Sequence, residues 1–540
     1  MRESAESNGV ESADPILRTA RERFGVPYLF PYQRLVVANV IEAVAARAAP
    51  HLDDVDARSR QLVILPTGSG KSLCFQLPAV LSGGLTVVVY PLLSLIADQK
   101  RKLDELSIPC ESLTGRSTGD DRLRVAERLR RGSLSLLLTN PETLIRDHTR
   151  ELLRGVTVSH LVIDEAHTVV QWGESFRPAY LELGGALEWL EPAVTTGFTA
   201  TASPEVIARI DQHLFGGEGY HLVRGNPDRP NIHYAVAPVA SKAAALRELL
   251  RRAEPAPIER PPLEQAPTRR PAIERAPVRR PAVVFCRTRG RCERTALELR
   301  RALDDPEIKF YHAGLSKQEK TALEAWFLAS PDGVLIATCA YGMGVDKRDI
   351  RTIIHRDLPD SVEAYLQESG RAGRDGGPAQ AVVLASPSEM ATAASTAGTQ
   401  WSAFLSGRRC RRAVLVEALG AEPEACSGCD VCDGAARADS ALTAAILRWL
   451  SRRRRRYTPA QAAAVLAGTA RTAPVPWSPE LEPTWSLLAE WTREEIEEAL
   501  EEIRAGGRLR VIKRGPWRGR VVAGSDSGPS ARWTRLARTY

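Results

Sequence analysis

In PTGSGKS, residues 66–72, two glycines, a lysine and a hydroxyl stand at the spacing needed to hold a chain of phosphates. The backbone N–H groups of Thr67, Gly68, Ser69 and Gly70 would close round phosphate oxygens at the start of a helix, where unpaired N–H groups already favour an anion. Lys71 would reach the β and γ oxygens, and the Ser72 hydroxyl would meet Mg²⁺. Leu65 occupies the position where the general pattern has its first glycine. Farther along, VIDEAH at residues 162–167 ends an apolar run on Asp164, Glu165 and His167. Carboxylates at the C-terminal end of a strand emerge on the same side as a phosphate loop of that domain. There Asp164 would hold Mg²⁺ through water, and Glu165 would orient and deprotonate an attacking water. The alternative is an acidic pair on a solvated turn, which leaves the upstream phosphate loop without the second half of its site.

A second cluster is made of thiols. Cys410, Cys426, Cys429 and Cys432 follow the spacing C-x15-C-x2-C-x2-C. Four thiolates in tight turns suit a closed tetrahedral Zn²⁺ site, structural rather than catalytic because no ligand position stays open. A redox cluster or free thiols is the competing reading. Cys74, Cys110, Cys286, Cys292 and Cys339 lie in or beside strand and helix patterns and read as buried thiols; nine cysteines spread over 540 residues fit reduced side chains better than a disulfide framework.

Such groups need rigid elements to carry them. Apolar runs at 62–66, 85–91, 134–140 and 160–167 alternate with helical segments, and the pattern returns at 282–286, 333–339, 351–355 and 381–385. These runs read as buried parallel strands, which gives two α/β domains in tandem. Between them, residues 256–285 hold an approximate repeat, APIERPPLEQ, APTRRPAIER, APVRRPAVVF. Its prolines forbid helix, and it reads as a flexible or polyproline-like linker. After residue 400 come the cysteines, then helices. Thr492 and Glu495 form a capping box ahead of Ile496, Leu500 and Ile503 on one helical face. Beyond Gly506 and Gly507, RLRVI and VVAG read as strands around the basic loop KRGPWRGR. Helices followed by a basic hairpin suggest a winged helix-turn-helix.

Charge points to the same end of the chain. The net charge is +7, and residues 401–540 hold 23 basic and 16 acidic side chains, so the whole excess lies there. A basic appendage on a neutral body suits a phosphate-backbone partner, and a solvated arginine-rich surface is the plainer reading. Within it, Arg452 and Arg454 belong to a run of five arginines, and Trp517 sits at the hairpin tip, either as a wedge against a base pair or as simple packing. No apolar run has the roughly 20 residues that a membrane span needs. The polar, acidic N-terminus is unlike a signal peptide, so a cytoplasmic protein is expected, nucleoid-associated if prokaryotic.

PTGSGKS, DEAH, TATA (residues 199–202) and QESGRAGRDG (residues 367–376), in this order, resemble superfamily 2 helicases. Finer details resemble the RecQ family of DNA helicases over roughly residues 20–435: SLCFQLPA, VVVYPLLSLIADQ, QWGESFRPAY, NPDRPNI, FYHAGL, ATCAYGMGVDKRDIR, CRR and CDVC. The resemblance implies an α/β fold of two tandem RecA-like parallel-sheet domains, followed by a small zinc-binding helical module and a winged-helix domain. Along the chain this places a disordered N-terminus at 1–14, the first RecA-like domain at 15–225, the second at 226–395 with the Pro/Arg-rich insertion at 253–281, the zinc module at 396–436, a winged-helix-like DNA-binding domain at 437–525 and a basic tail at 526–540. ATP, Mg²⁺ and Zn²⁺ are the implied cofactors, with ATP between the two α/β domains. Arg371 and Arg374 would stabilise charge on the γ-phosphate, with Gln367 positioning them and Gly344 and Asp346 lining the nucleotide. Trp172, Phe176 and Arg177, with Tyr180, would stack on bases, and Arg229 and His312 would contact nucleic acid.

One region departs from the family. Where it has F-G-[YF]-x-x-F-R-P-G-Q, this chain reads FGVPYLFPYQ, residues 24–33. Gln33 is retained to read the adenine edge, but Val26 replaces the aromatic and Phe30 the arginine. Adenine stacking then falls to Tyr28 or Phe30, or nucleotide selectivity is relaxed. The activity implied is that of an ATP-dependent 3′–5′ DNA helicase in repair or recombination, a monomer acting on single-stranded and duplex DNA. The alternatives are a translocase that remodels without processive unwinding, or a DNA-structure-binding scaffold. With so short a tail, the helicase-and-RNase-D C-terminal domain of many RecQ proteins is expected to be absent.

Overall fold

Leu62, Val63 and Ile64 alternate between two cores because helices cover both faces of the strand that carries them. The structure, a computed structural model, describes residues 14–48, 59–66, 68–169, 178–251, 278–341, 347–395, 399–469, 487–489 and 491–524. The chain divides into two units, Met1–Asp228 with Leu419–Ala421, and Arg229–Ala418 with Glu422–Tyr540.

The first unit is built on seven strands: β1 (Arg60–Ile64), β2 (Leu85–Val89), β3 (Cys110–Leu113), β4 (Leu136–Thr139), β5 (Val158–Asp164), β6 (Val194–Thr199) and β7 (His221–Arg224). Their order is β3-β4-β2-β5-β6-β1-β7, every pairing parallel. The order matters for chemistry. It sets β5, β6 and β1 side by side, so the loops after Asp164, Thr199 and Ile64 leave the same edge as neighbours.

The expected apolar runs became β1, β2, β4 and β5, but β3, β6 and β7 carried no such signal. β6 reads VTTGFT, with three threonines, and is nevertheless buried throughout. Two of its three hydroxyls meet histidines of neighbouring elements: His160 Nε2 lies 2.9 Å from Thr196 Oγ1, and His167 Nδ1 lies 2.9 Å from Thr199 Oγ1. A polar strand can stand in a core when each hydroxyl has a partner.

The second unit holds β8 (Ile232–Pro238), β9 (Ala282–Phe285), β10 (Ile308–Tyr311), β11 (Val334–Ala337), β12 (Thr352–His355) and β13 (Ala379–Ala385). They form a parallel sheet in the order β10-β11-β9-β12-β13-β8, with an apolar core on each face. Most of the proline-rich insertion, residues 252–277, lies outside the described residues. Its last four residues depart from the linker reading. Val278 is buried and donates its N–H to Leu249 O at 2.9 Å, and the Arg280 guanidinium pairs with Asp305 at 2.6 Å. An aliphatic anchor and a shielded ion pair make residues 278–281 part of the fold.

Helices Ala441–Ser451, Pro459–Ala467 and Arg493–Ala505 follow, then the antiparallel pair β14 (Leu509–Val511) and β15 (Val521–Ala523). They enclose a core of their own, including Trp449, Leu466, Leu500 and Val521. The Thr492–Glu495 capping box is present, and Ile496, Leu500 and Ile503 face inward as their spacing requires. This module docks on the rest of its unit through Arg247–Glu495 at 2.9 Å and through Ser241–Glu498 and Ser388–Glu502. The tail from residue 525 lies outside the described residues. Among the described residues, no helix is long and apolar enough to cross a membrane.

Candidate functional site

The loop after β1 turns on two glycines in the left-handed region, Gly68 at φ 86° and Gly70 at φ 76°. Gly70 caps helix Lys71–Leu81 with no side chain of its own, which leaves the helix N-terminus open to an anion. A Cβ at Gly70 would be strained and would collide with Gln33 Nε2. Leu65 is fully buried in the core beneath, so the position that lacks the usual glycine serves packing instead. Thr67 lies outside the described residues.

Lys71 Nζ lies 3.7 Å from Glu165 Oε1, which brings the phosphate loop and the acidic motif into one site. Glu165 itself sits at φ 53°, a left-handed conformation rare for a non-glycine residue, and so turns its carboxylate towards the loop. The carboxyl of Asp164, the last residue of β5, is held above the usual carboxylate range by burial and by the neighbouring Glu165 charge, with Lys71 pulling the other way. A carboxyl so placed gains from a cation, and a carboxylate and the Ser72 hydroxyl are the kind of oxygen donors that suit Mg²⁺. The Thr199 hydroxyl donates to Thr201 O at 3.0 Å, so it accepts from His167, whose proton therefore sits on Nδ1. Ala166 N–H donates to Phe198 O at 2.7 Å. The acidic motif is thereby stitched to the TATA loop.

Gln33 is 4% exposed and its amide is engaged: Oε1 accepts Phe30 N–H at 3.0 Å and Nε2 donates to Ser69 O at 2.9 Å. Tyr32 OH donates to the same carbonyl at 3.3 Å. Tyr28 and Phe30 are 60% and 50% exposed. Phe30 stacks on Tyr32 at 5.4 Å with the planes 5° apart, and Tyr28 meets Phe30 edge-on at 5.6 Å. Beside the phosphate loop, then, an aromatic ladder stands in place of the family's arginine.

In the second unit, Gln367 lies in the last turn of helix Val362–Ser369, and Arg371 and Arg374 follow in a glycine-rich loop, both half-buried. His355 Nε2 holds Glu368 at 2.9 Å in the interior. Three expected nucleic-acid contacts turn inward instead, and Tyr180 is one of them, fully buried in the core of the first unit. Arg229 donates to Gly370 O at 2.8 Å and to Ala372 O and Gly373 O at 3.0 Å. His312 is buried, with Nε2 2.7 Å from Glu293 and Nδ1 accepting Gly314 N–H at 3.2 Å. All three expectations rest on motif position, which does not say where a side chain points. Arg452 and Arg454 are exposed in the turn after helix Ala441–Ser451, and Trp517 is 48% exposed between β14 and β15. Trp172, Phe176, Arg177, Gly344 and Asp346 lie outside the described residues.

The four cysteines converge. Their sulfurs all lie within 4.8 Å of one another, with Cys410 and Cys429 at 3.9 Å. Thiolates about 2.3 Å from a shared tetrahedral ion stand about 3.8 Å apart, so the set fits Zn²⁺. Burial opposes ionisation of Cys429, but N–H donors, that of Cys432 among them at 3.4 Å, favour its thiolate, while burial and the neighbouring sulfurs oppose ionisation of Cys410, and neighbouring sulfurs also oppose that of Cys432. Position alone did not reveal what ties this module down. Arg411 forms a buried two-pronged pair with Asp430 at 2.8 and 3.1 Å, and Asp430 also accepts Val236 N–H at 3.0 Å.

Residues 39–210 match the DEAD/DEAH box helicase family model, and residues 274–376 match the helicase conserved C-terminal domain. The chain is 33% identical over 387 residues to the ATP-dependent DNA helicase RecQ of Pasteurella multocida, covering 69% of this chain and 57% of that protein. It is 36% identical over 346 residues to the ATP-dependent DNA helicase RecQ of Synechocystis, covering 62% and 66%. The RecQ-like DNA helicase blm-1 of Caenorhabditis elegans shares 36% over 332 residues, 60% of this chain and 31% of that protein. The chain thus spans well under two thirds of the first and last of these relatives. Among solved structures, the DEAD-box helicase Mss116 bound to ssRNA and UDP-BeF superposes with a TM-score of 0.54 at 14% identity, covering 93% of this chain and 91% of that one. The DUF1998 helicase MrfA bound to DNA gives 0.52 at 18% identity, covering 97% and 64%, and both likenesses concern the fold alone.

Proposed function

The chain belongs to the RecQ family of superfamily 2 helicases, and on that premise we propose that it is an ATP-dependent DNA helicase that moves 3′ to 5′ on single-stranded DNA and separates duplexes in repair or recombination. The observation that carries the reading is the 3.7 Å approach of Lys71 to Glu165 across the sheet edge, which joins a phosphate cradle to a base. In this reading the N–H groups at Gly68 to Lys71 hold the β- and γ-phosphates, and Lys71 exchanges Glu165 for phosphate oxygen. Ser72 and Asp164 hold Mg²⁺, which neutralises phosphate charge when bound. Glu165, freed, takes a proton from the attacking water, and His167, protonated on Nδ1, ties that loop to Thr199. Arg371 and Arg374 serve the charge that develops on the γ-phosphate. Duplex DNA is assigned to the basic C-terminal module, where Arg452, Arg454 and Trp517 are exposed.

The test is ATP hydrolysis by the wild-type chain and Lys71→Ala with and without single-stranded DNA, beside strand separation of 3′-tailed and 5′-tailed duplexes. DNA-stimulated turnover and unwinding of the 3′-tailed duplex alone, both lost in the variant, are expected. Unwinding from the 5′ tail would overturn the polarity. Tight binding of tailed duplex without turnover would replace the helicase by a DNA-structure-binding scaffold.

A further inference from the structure

The loop that carries Arg371 and Arg374 is a run of tight turns, in which Gly376 N–H donates to Gly373 O at 3.0 Å and Gly373 N–H donates to Ile350 O at 2.8 Å. It reads GRAGRDGG between helix Val362–Ser369 and β13, and carbonyls of Gly370, Ala372 and Gly373 turn inward, where each needs a donor. One guanidinium supplies all three, that of Arg229. Asn231, two residues on, donates from Nδ2 to Gly373 O and Gly377 O, each at 2.8 Å. Gly373 is left-handed at φ 54°, and a Cβ there would collide with that amide. Arginine suits the task because its planar fork presents five N–H groups in fixed directions.

The same segment is gripped from its other side by the cysteine module. Arg412, two residues after Cys410, donates to Arg229 O at 3.0 Å and to Ile232 O at 2.7 Å. Ser427 Oγ, between Cys426 and Cys429, donates to Pro230 O at 3.0 Å. Residues 229–232 therefore bear the arginine loop on their side chains and the cysteine module on their backbone.

We propose that Arg229 is a positioning residue for ATP hydrolysis, holding the Arg371–Arg374 loop in its working conformation, and that Arg412 fixes Arg229 in turn. The inference rests on the functional reading above. It assigns to the cysteine module, beyond stabilising a small subdomain, the placing of side chains that act on the nucleotide.

Arg229→Ala, Arg229→Lys and Arg412→Ala are to be compared with the wild-type chain for kcat and ATP KM at saturating single-stranded DNA, for DNA affinity at two salt concentrations, and for zinc bound per chain. Displacing a catalytic group by about 1 Å costs on the order of 10²-fold, so Arg229→Ala should lose about that much in kcat. ATP KM, DNA affinity and zinc should stay at wild-type values, the signature of an interaction used only in the transition state. Arg229→Lys, which keeps the charge without the fork, should recover part of kcat, and Arg412→Ala should show a smaller loss in the same direction. Wild-type kcat in Arg229→Ala would overturn the inference. So would weaker DNA binding with a shallower salt dependence, which would make Arg229 a phosphate contact. If Arg229→Ala fails to fold or loses zinc, Arg229→Lys is judged by the same criteria. A wild-type chain without DNA-stimulated turnover would instead sink the helicase reading, and this inference with it.

Discussion

Phe30 stands where the family has an arginine, and its ring is half-exposed against Tyr32 beside the phosphate loop. If this ladder stacks the nucleotide base, Phe30→Ala should raise the ATP KM about tenfold, the size of a lost base–aromatic stack, with kcat unchanged. An unaltered KM would remove the ladder from nucleotide binding. His160 gives a pH effect with a definite sign. Burial lowers its pKa from 6.5 to about 3, so the folded protein keeps it neutral while the unfolded chain takes up a proton first as pH falls. Stability from this group is thus full above about pH 6.5 and declines as pH drops towards 3. His160→Gln, which cannot titrate, should flatten the melting temperature between pH 7 and pH 5 relative to wild type, and parallel curves would refute the assignment. At this scale the sequence was legible for motif residues whose backbone does the work, such as Gly70 and Lys71. It was not legible for Arg229 and His312, because a motif fixes a residue's place along the chain and not the partner its side chain finds.

Elements were legible where the apolar pattern was strong. β1, β2, β4 and β5 could be named from apolar runs, whereas β6 was hidden by the polar hydroxyls of its threonines and β10 by the lysine in IKFY. Turn chemistry was equally readable at helix Arg493–Ala505. Thr492 Oγ1 accepts Glu495 N–H at 3.2 Å, and Glu495 Oε2 accepts Thr492 N–H at 2.9 Å. Removing that cap by Thr492→Ala should cost about 1 kcal/mol in denaturant unfolding of the module, with Thr492→Ser recovering most of it. An equal loss in both variants would place the effect in packing instead.

At the scale of the molecule, the tandem α/β plan and the cysteine module followed from repeated patterns and spacing. The docking of that module on β8 did not: Arg411, Arg412 and Asp430 stand in the motifs CRR and CDVC, but a motif does not give the partners that their side chains find. That docking predicts where metal removal acts. A chelator, or Cys429→Ser, should lower the unfolding midpoint of the second unit while that of the first, followed by nucleotide-dependent protection, stays in place. A shift in both or in neither would contradict the division.

The strand order of the first sheet also bears on how the protein comes to exist. β1 pairs only with β6 and β7, whose registers join Ile64 to Thr199 and Arg224. On the ribosome, β2 to β5 can pair among themselves while β1, already synthesised, waits without a neighbour. Its partners are the last strands of the unit to emerge, so the phosphate loop it carries closes late in folding, at the cost of a long chain loop. A nascent chain stopped short of β6 has its acidic motif but no formed nucleotide cradle, and ligand binding becomes a report that the whole first unit has been made.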